Sequence, residues 1–236
     1  MSEHDITPQP PRTLSPDALL AWLLSRRSVR KFTDQPIERN TLVQLMQAAT
    51  SAPSASNRQP WRFAVVTAPG LRRRIAEAVQ QRADEMKALI QRGHHADDFG
   101  NYGDFFHEPL LSAAVIVVPQ YREHPDLIAE LLRSGGANAE QFHTASAMQA
   151  ERCSTSAAVM NLLLQAHASG LGGCWMAGPM IARDEVSRLL KIAPPWHMLG
   201  AVALGHPVAS TAPAQPRKPM ERVVQWFDAD EANSPA

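Results

Sequence analysis

The chain has 236 residues, 44% hydrophobic and 19% charged, with 23 Lys plus Arg balanced by 23 Asp plus Glu. That mixture can bury a sizeable core and excludes a broadly disordered chain, and the absence of net charge leaves no long-range field to gather nucleic acid or an anionic membrane. Apolar runs such as AAVIVV fall far short of the roughly 20 residues a membrane helix needs, and the two cysteines, Cys153 and Cys174, are too few for a disulfide framework and lack metal-ligand spacing. The expectation is therefore a cytoplasmic protein with no metal and with two structural thiols.

The opening MSEHDITPQPPR lacks the basic-then-apolar order of a signal peptide and reads as a flexible lead over 1–15. Ser15, Pro16 and Asp17 then start a helix whose apolar stripe is ALLAWLLSRR. Leu42, Leu45, Met46 and Ala49 share one helical face, so 39–51 is an amphipathic helix stopped by Ala52-Pro53. WRFAVVT reads as a strand that ends at the turn signal Pro69-Gly70, and 71–91 as a helix with Leu71, Ile75, Val79, Met86 and Ile90 inward. The stretch 92–110, which includes Gly93-His94-His95, reads as a loose insertion.

Further on, AAVIVVP and HMLGAVALG each read as one strand, and the continuously apolar character of the strands implies a sheet covered by helices on both faces. The segment 145–168 is a helix whose second half is apolar nearly all round, which fits a central or dimer-interface position. Gly170 to Gly173 stop it, a helix follows at 183–191, and the Pro-rich TAPAQPRKP leads to VVQWF, a tail that needs a docking surface.

Four stretches carry chemistry, each with two readings. RRSVRK packs Arg26, Arg27, Arg30 and Lys31 around Ser28; it is either a solvated helix end, where cations complement the dipole, or a cradle for an anion such as phosphate. In APSASNRQPW, Ser54, Ser56, Asn57 and Gln59 cap their own loop or meet a ligand whose edge alternates donor and acceptor. GLGGCWMAGP, residues 170–179, is a helix stop or a close backbone approach to a flat ligand. Arg217 and Lys218 are solvated cations or part of a strap.

Their order and spacing resemble the nitroreductase superfamily. The likeness covers about residues 20–228, through RRSVRKF, APSASNRQPWRFAVV, NLLLQAHASGLGGCWMAGP, and ALGHP followed by PRKPMERVV, while 92–140 matches poorly. The resemblance implies an α+β fold with a central, mostly antiparallel sheet flanked by helices. It implies one FMN-binding domain over 16–228, a flexible tail over 229–236, and a domain-swapped homodimer with FMN sites at the interface and VVQWF paired with the partner's sheet. Carried over by motif, Arg26, Arg27, Ser28 and Arg30 hold the phosphate and ribityl chain, and Arg217 or Lys218 closes over the phosphate. Pro53, Ser54, Ala55 and Asn57 reach the isoalloxazine from the other subunit, and backbone at Trp175, Met176, Ala177 and Gly178 faces its reactive edge. Many members carry an acidic residue or Thr near position 177, where this chain has Ala177. A phosphate close to a dianion needs several cations to leave water, which accounts for the basic hexapeptide.

The implied activity moves hydride from NADH or NADPH through flavin N5 to an oxidised small-molecule acceptor, a nitroaromatic, quinone or conjugated alkene, in two alternating half-reactions; no side chain is expected as acid or base. The alternatives are a reductive dehalogenase, a flavin-fragmenting synthase, an azoline dehydrogenase, or a non-catalytic FMN-binding protein.

Overall fold

The computed structural model describes residues 15–92, 103–138, 141–142, 148–209 and 216–227. The lead before Ser15, the His94-His95 pair and the 229–236 tail lie outside the described residues.

Helix α1 runs Pro16–Ser25, capped by the Ser15 hydroxyl, which accepts from the Ala18 N–H at 3.2 Å. Helix α2, Arg39–Thr50, buries Leu42, Leu45 and Ala49, the face its periodicity marks. Strand β1 is Trp61–Val66. The Pro69-Gly70 pair, expected as a turn, instead opens α3, Pro69–Ile90. Proline in the first helical turn gives up an N–H that has no partner there, so the dipeptide that ends a strand can also begin a helix. The C-terminal part of the expected loose insertion, 104–110, is likewise helical: α4 covers Asp104–Ser112, because Phe106 and Leu110, four apart, pack on the core together.

Strand β2 is Val115–Arg122, and α5, Leu127–Ser134, is a further helix, capped by Asp126. Helix α6 spans Ala150–Ala168. Strand β3, Gly172–Met176, occupies residues expected as a helix stop or a ligand-facing backbone and not as a strand. Helix α7 is Arg183–Leu190. HMLGAVALG forms two strands, β4 at Trp196–Met198 and β5 at Ala201–Gly205. The break lies at Gly200, whose φ of +89° only glycine adopts easily.

Among the described residues the sheet order is β1-β2-β5-β3, with β4 also on β2, and each of these ladders is antiparallel. Alternation along the strands feeds two cores. Ile116, Val118, Ala201 and Ala203 meet Ile75 and Val79 of α3 and Val186 of α7 on one face. Val115, Val117, Val202 and Leu204 meet α2 and α6 through Leu45, Val159 and Leu162 on the other. The expected two-sided cover is therefore present.

Two segments carry large apolar side chains that find no core within the chain. Helix α1 buries none of its residues, with Leu20 and Leu24 55% and 62% exposed. The 216–227 segment is exposed throughout, Trp226 and Phe227 included. Within one chain VVQWF forms no strand; a turn at Met220–Arg222 precedes it.

Candidate cofactor site

The basic hexapeptide begins where α1 ends. Arg26 is extended (φ −62°, ψ 133°), and the Arg27 guanidinium turns back to donate to the carbonyls of Leu24 and Arg26. Arg27 thus serves the helix end, where carbonyls lack partners. The next residues lie along the open edge of β3. Ser28 bridges Gly173 in parallel, and the Val29 N–H donates to the Gly173 carbonyl at 3.1 Å. Glycine permits this approach: a Cβ on Gly172 would stand 2.7 Å from the Val29 side chain. The chain then crosses to the end of β5, where the Thr33 N–H donates to the His206 carbonyl. In an extended run alternate residues share a side, which groups Arg26, Ser28 and Arg30 and turns Val29 to the core.

Beside this strap is a cavity of about 310 Å³, lined by Arg26, Arg27, His167, Gly172 and Gly173 among others, with no carboxylate in its wall. Among the described residues no ion pair holds Arg26 or Arg30. Both act electrostatically on buried Cys174: burial pushes its thiol up, and Arg30 and then Arg26 pull against it. His167 is the residue the sequence reading missed. Its Nε2 lies 2.8 Å from Ser25 Oγ and its ring 5.2 Å from Trp22. The available signal was a histidine in the last turn before the Gly170 stop, where a cation suits the helix end.

The thiols differ. Cys174 is buried, while Cys153 is exposed against the burial expected of it. We expect a thiol reagent to label Cys153 alone in the native protein and both after unfolding. The raised Cys174 pKa disfavours thiolate in the fold, so stability falls as pH rises past the ordinary thiol range, and Cys174→Ala flattens that alkaline slope in thermal melts.

At the far end of β3, about 13 Å from Gly172 at 3.3 Å per residue, come the other expected contacts. Trp175 Nε1 donates to the Leu199 carbonyl at 3.2 Å, Met176 is buried, and Ala177 is exposed. Gly178 lies beneath Phe106, into whose ring any Cβ would project.

The Ser/Asn loop is elsewhere. Pro53, Ala55 and Asn57 are exposed and Ser54 is half-buried, and the Ala55 N–H donates to Ser154 Oγ, in the first turn-and-a-half of α6, at 3.2 Å. The cavity abuts His167 at the other end of α6, about 20 Å away at 1.5 Å per residue. Arg217 and Lys218 are exposed and do not line the cavity. In one chain the Ser/Asn loop and the cavity therefore lie at opposite ends of α6.

The residues present fit FMN. Arg26, without an ion-pair partner among the described residues and in a wall without carboxylates, suits its phosphate, and exposed Ala177, with no side chain beyond Cβ, leaves room for a flat ring beside the end of β3. Among the described residues no group of three or more His, Cys, Asp or Glu could hold a metal ion, and no helix is long and apolar enough to cross a membrane.

This is the architecture of a nitroreductase-type flavin oxidoreductase. Residues 23–206 match the Nitroreductase family model, and the chain belongs to that family. It is 28% identical over 207 residues to an NADH dehydrogenase of Thermus thermophilus, covering 86% of this chain and 93% of that one. It is 27% identical over 191 residues to the 5,6-dimethylbenzimidazole synthase of Rhodospirillum rubrum, covering 81% of each. In fold it resembles a BluB-like flavoprotein from Clostridium difficile 630, with a TM-score of 0.78 and 24% identity over 89% of this chain and 99% of that one.

Proposed function

We propose that two copies of this chain bind FMN at their interface and use it to pass electrons from NADH or NADPH to an oxidised organic acceptor, a nitroaromatic, quinone or conjugated alkene. The observation that carries this reading is the carboxylate-free cation cavity at the Gly172 end of β3. When bound, FMN supplies the hydride-accepting and hydride-donating chemistry. The chain supplies position and field. Arg26, with Arg30 nearby and Ser28 as a neutral donor, holds the phosphate, and Arg217 or Lys218 closes over it. The turn from Trp175 to Gly178 presents backbone N–H groups to the reactive edge, so Ala177 needs no side-chain function there. Pro53, Ser54, Ala55 and Asn57 of the second copy cover the ring and leave one flat slot for both substrates in turn. No side chain is assigned as acid or base.

The exposed leucines of α1 and the exposed Val223, Trp226 and Phe227 support a dimer, since faces of this kind are costly in water. We take residues 16–228 as a single domain completed by the partner. Light scattering is expected to give the mass of two 25.9 kDa chains, and a chain ending at residue 215 is expected to lose both dimer and flavin. A monomeric full-length protein would contradict the site as drawn.

The direct test is the visible spectrum of the purified protein, the mass of the small molecule it releases on denaturation, and bleaching of that spectrum by NADH or NADPH. A colourless protein that stays colourless with added FMN would overturn the reading; bound flavin that no nicotinamide bleaches would make the protein a non-catalytic flavin binder. The likeness to the Rhodospirillum rubrum enzyme favours a second reading, a 5,6-dimethylbenzimidazole synthase. Aerobic incubation with reduced FMN separates the two: the first reading expects the flavin recovered intact, the second expects 5,6-dimethylbenzimidazole by mass.

A further inference from the structure

The loop that we assign to the flavin ring is held in a shape its sequence would not choose. Ser56, Asn57 and Gln59 have φ of 51°, 49° and 45°, a left-handed conformation that Asn tolerates but that Ser and Gln hold chiefly when their surroundings impose it. Part of the imposition is local: the Gln59 N–H donates to Ser54 Oγ at 3.0 Å, and Gln59 Nε2 to Asn57 Oδ1 at 3.1 Å. The rest comes from one stripe of α6. Ser154, 8% exposed, accepts the Ala55 N–H at 3.2 Å while its own hydroxyl donates to the Ala150 carbonyl at 2.7 Å. Glu151, one turn earlier, lies 3.5 Å from the Arg58 guanidinium and 3.7 Å from His124 Nδ1. Ala158, one turn later, packs with Ala52 and Trp61, the two stems of the loop.

Positions 151, 154 and 158 share a helical face, so a single side of α6 grips the loop at both stems and at its crown. We infer that Ser154 and Glu151 are positioning residues for the cofactor: they fix the strained 54–59 turn before any ligand arrives, so that ordering it costs binding little. The inference rests on the proposed flavin site. Ser154 carries the larger share, because its accepting hydroxyl is on a buried residue, whereas the Arg58 pair is partly solvated and contributes less.

The test uses the full-length protein stripped of flavin and titrated with FMN, alongside amide hydrogen exchange of the flavin-free form. Ser154→Ala is expected to weaken FMN binding about tenfold, equivalent to ~1.4 kcal/mol, and Glu151→Gln about threefold, with exchange faster at Ala55 and Gln59 and unchanged in β2. Adding Ser56→Gly to Ser154→Ala is expected to recover at least half of the lost affinity, because glycine holds a positive φ without strain; a residue that merely supports the fold would not be rescued there. Wild-type affinity and exchange in both variants, or a loss that Ser56→Gly leaves untouched, would overturn the inference. If Ser154→Ala does not fold, Glu151→Gln alone decides it by the same two readouts. A wild-type protein that binds no FMN would fail the flavin assignment instead, and faster loop exchange in Ser154→Ala would still register the latch.

Discussion

The Arg26→Ala, Arg27→Ala variant is expected to leave purification almost colourless. Each guanidinium-to-phosphate contact is a charge-assisted hydrogen bond of about 1.5–3 kcal/mol, and the cavity wall holds no carboxylate to compete for it. Loss of both arginines should weaken FMN binding by roughly 100- to 1000-fold. The two contributions are unequal. Arg27 is already engaged with the carbonyls of Leu24 and Arg26, whereas Arg26 has no ion-pair partner among the described residues. Arg26→Ala alone should account for most of the affinity loss, and Arg27→Ala chiefly for a looser end of α1. Fluorescence titration with FMN at fixed ionic strength measures both, since salt screens such contacts, and light scattering checks that the dimer survives. Undiminished flavin content in the double variant would remove the phosphate assignment.

Gly200→Ala should lower stability by about 2–4 kcal/mol, a drop of roughly 5–15 °C in melting temperature for a chain of this size. Two costs combine. The backbone φ of +89° is strained for any residue with a Cβ, and that Cβ would sit 2.5 Å from the Met176 carbonyl oxygen. The obstacle is main chain, so no rotamer change relieves it. Relief requires β5 and the end of β3 to separate, which displaces the Trp175–Gly178 turn. The variant should therefore bind FMN more weakly even at temperatures where it remains folded. Differential scanning fluorimetry with and without FMN separates the two effects; a melting temperature within a degree of wild type would show that the break between β4 and β5 tolerates a side chain.

The elements that were legible share a property: their own residues set both pattern and boundary. Ser15-Pro16-Asp17 carries the cap and first turn of α1 within three residues, and Leu42, Leu45 and Ala49 fix the buried face of α2 by spacing alone. β3 was hidden because Gly172 and Gly173 have poor strand propensity. They are strand residues because β5 lies on one side and Val29 presses from the other, where a Cβ would collide. α4 was obscured by the glycines and acids before it, and becomes a helix through Phe106 and Leu110 against the core. The β4–β5 break could not be placed within HMLGAVALG, since a strand glycine can be tolerated, bulged or kinked until its neighbour across the sheet is known.

The site divides in the same way. Sequence alone determined the chemistry on offer: a cluster of cations beside a hydroxyl, a Ser/Asn loop, a glycine-rich turn, and the order that makes the family resemblance. Residue type and local spacing are written in the chain, so these could be read directly. Which arginine is free and which is spent on a helix end, that His167 joins the cavity, and that the loop and the cavity lie at opposite ends of α6 were decided only by the tertiary structure. Those are distances between segments remote in sequence, and they are set by how the two cores pack on either face of the sheet.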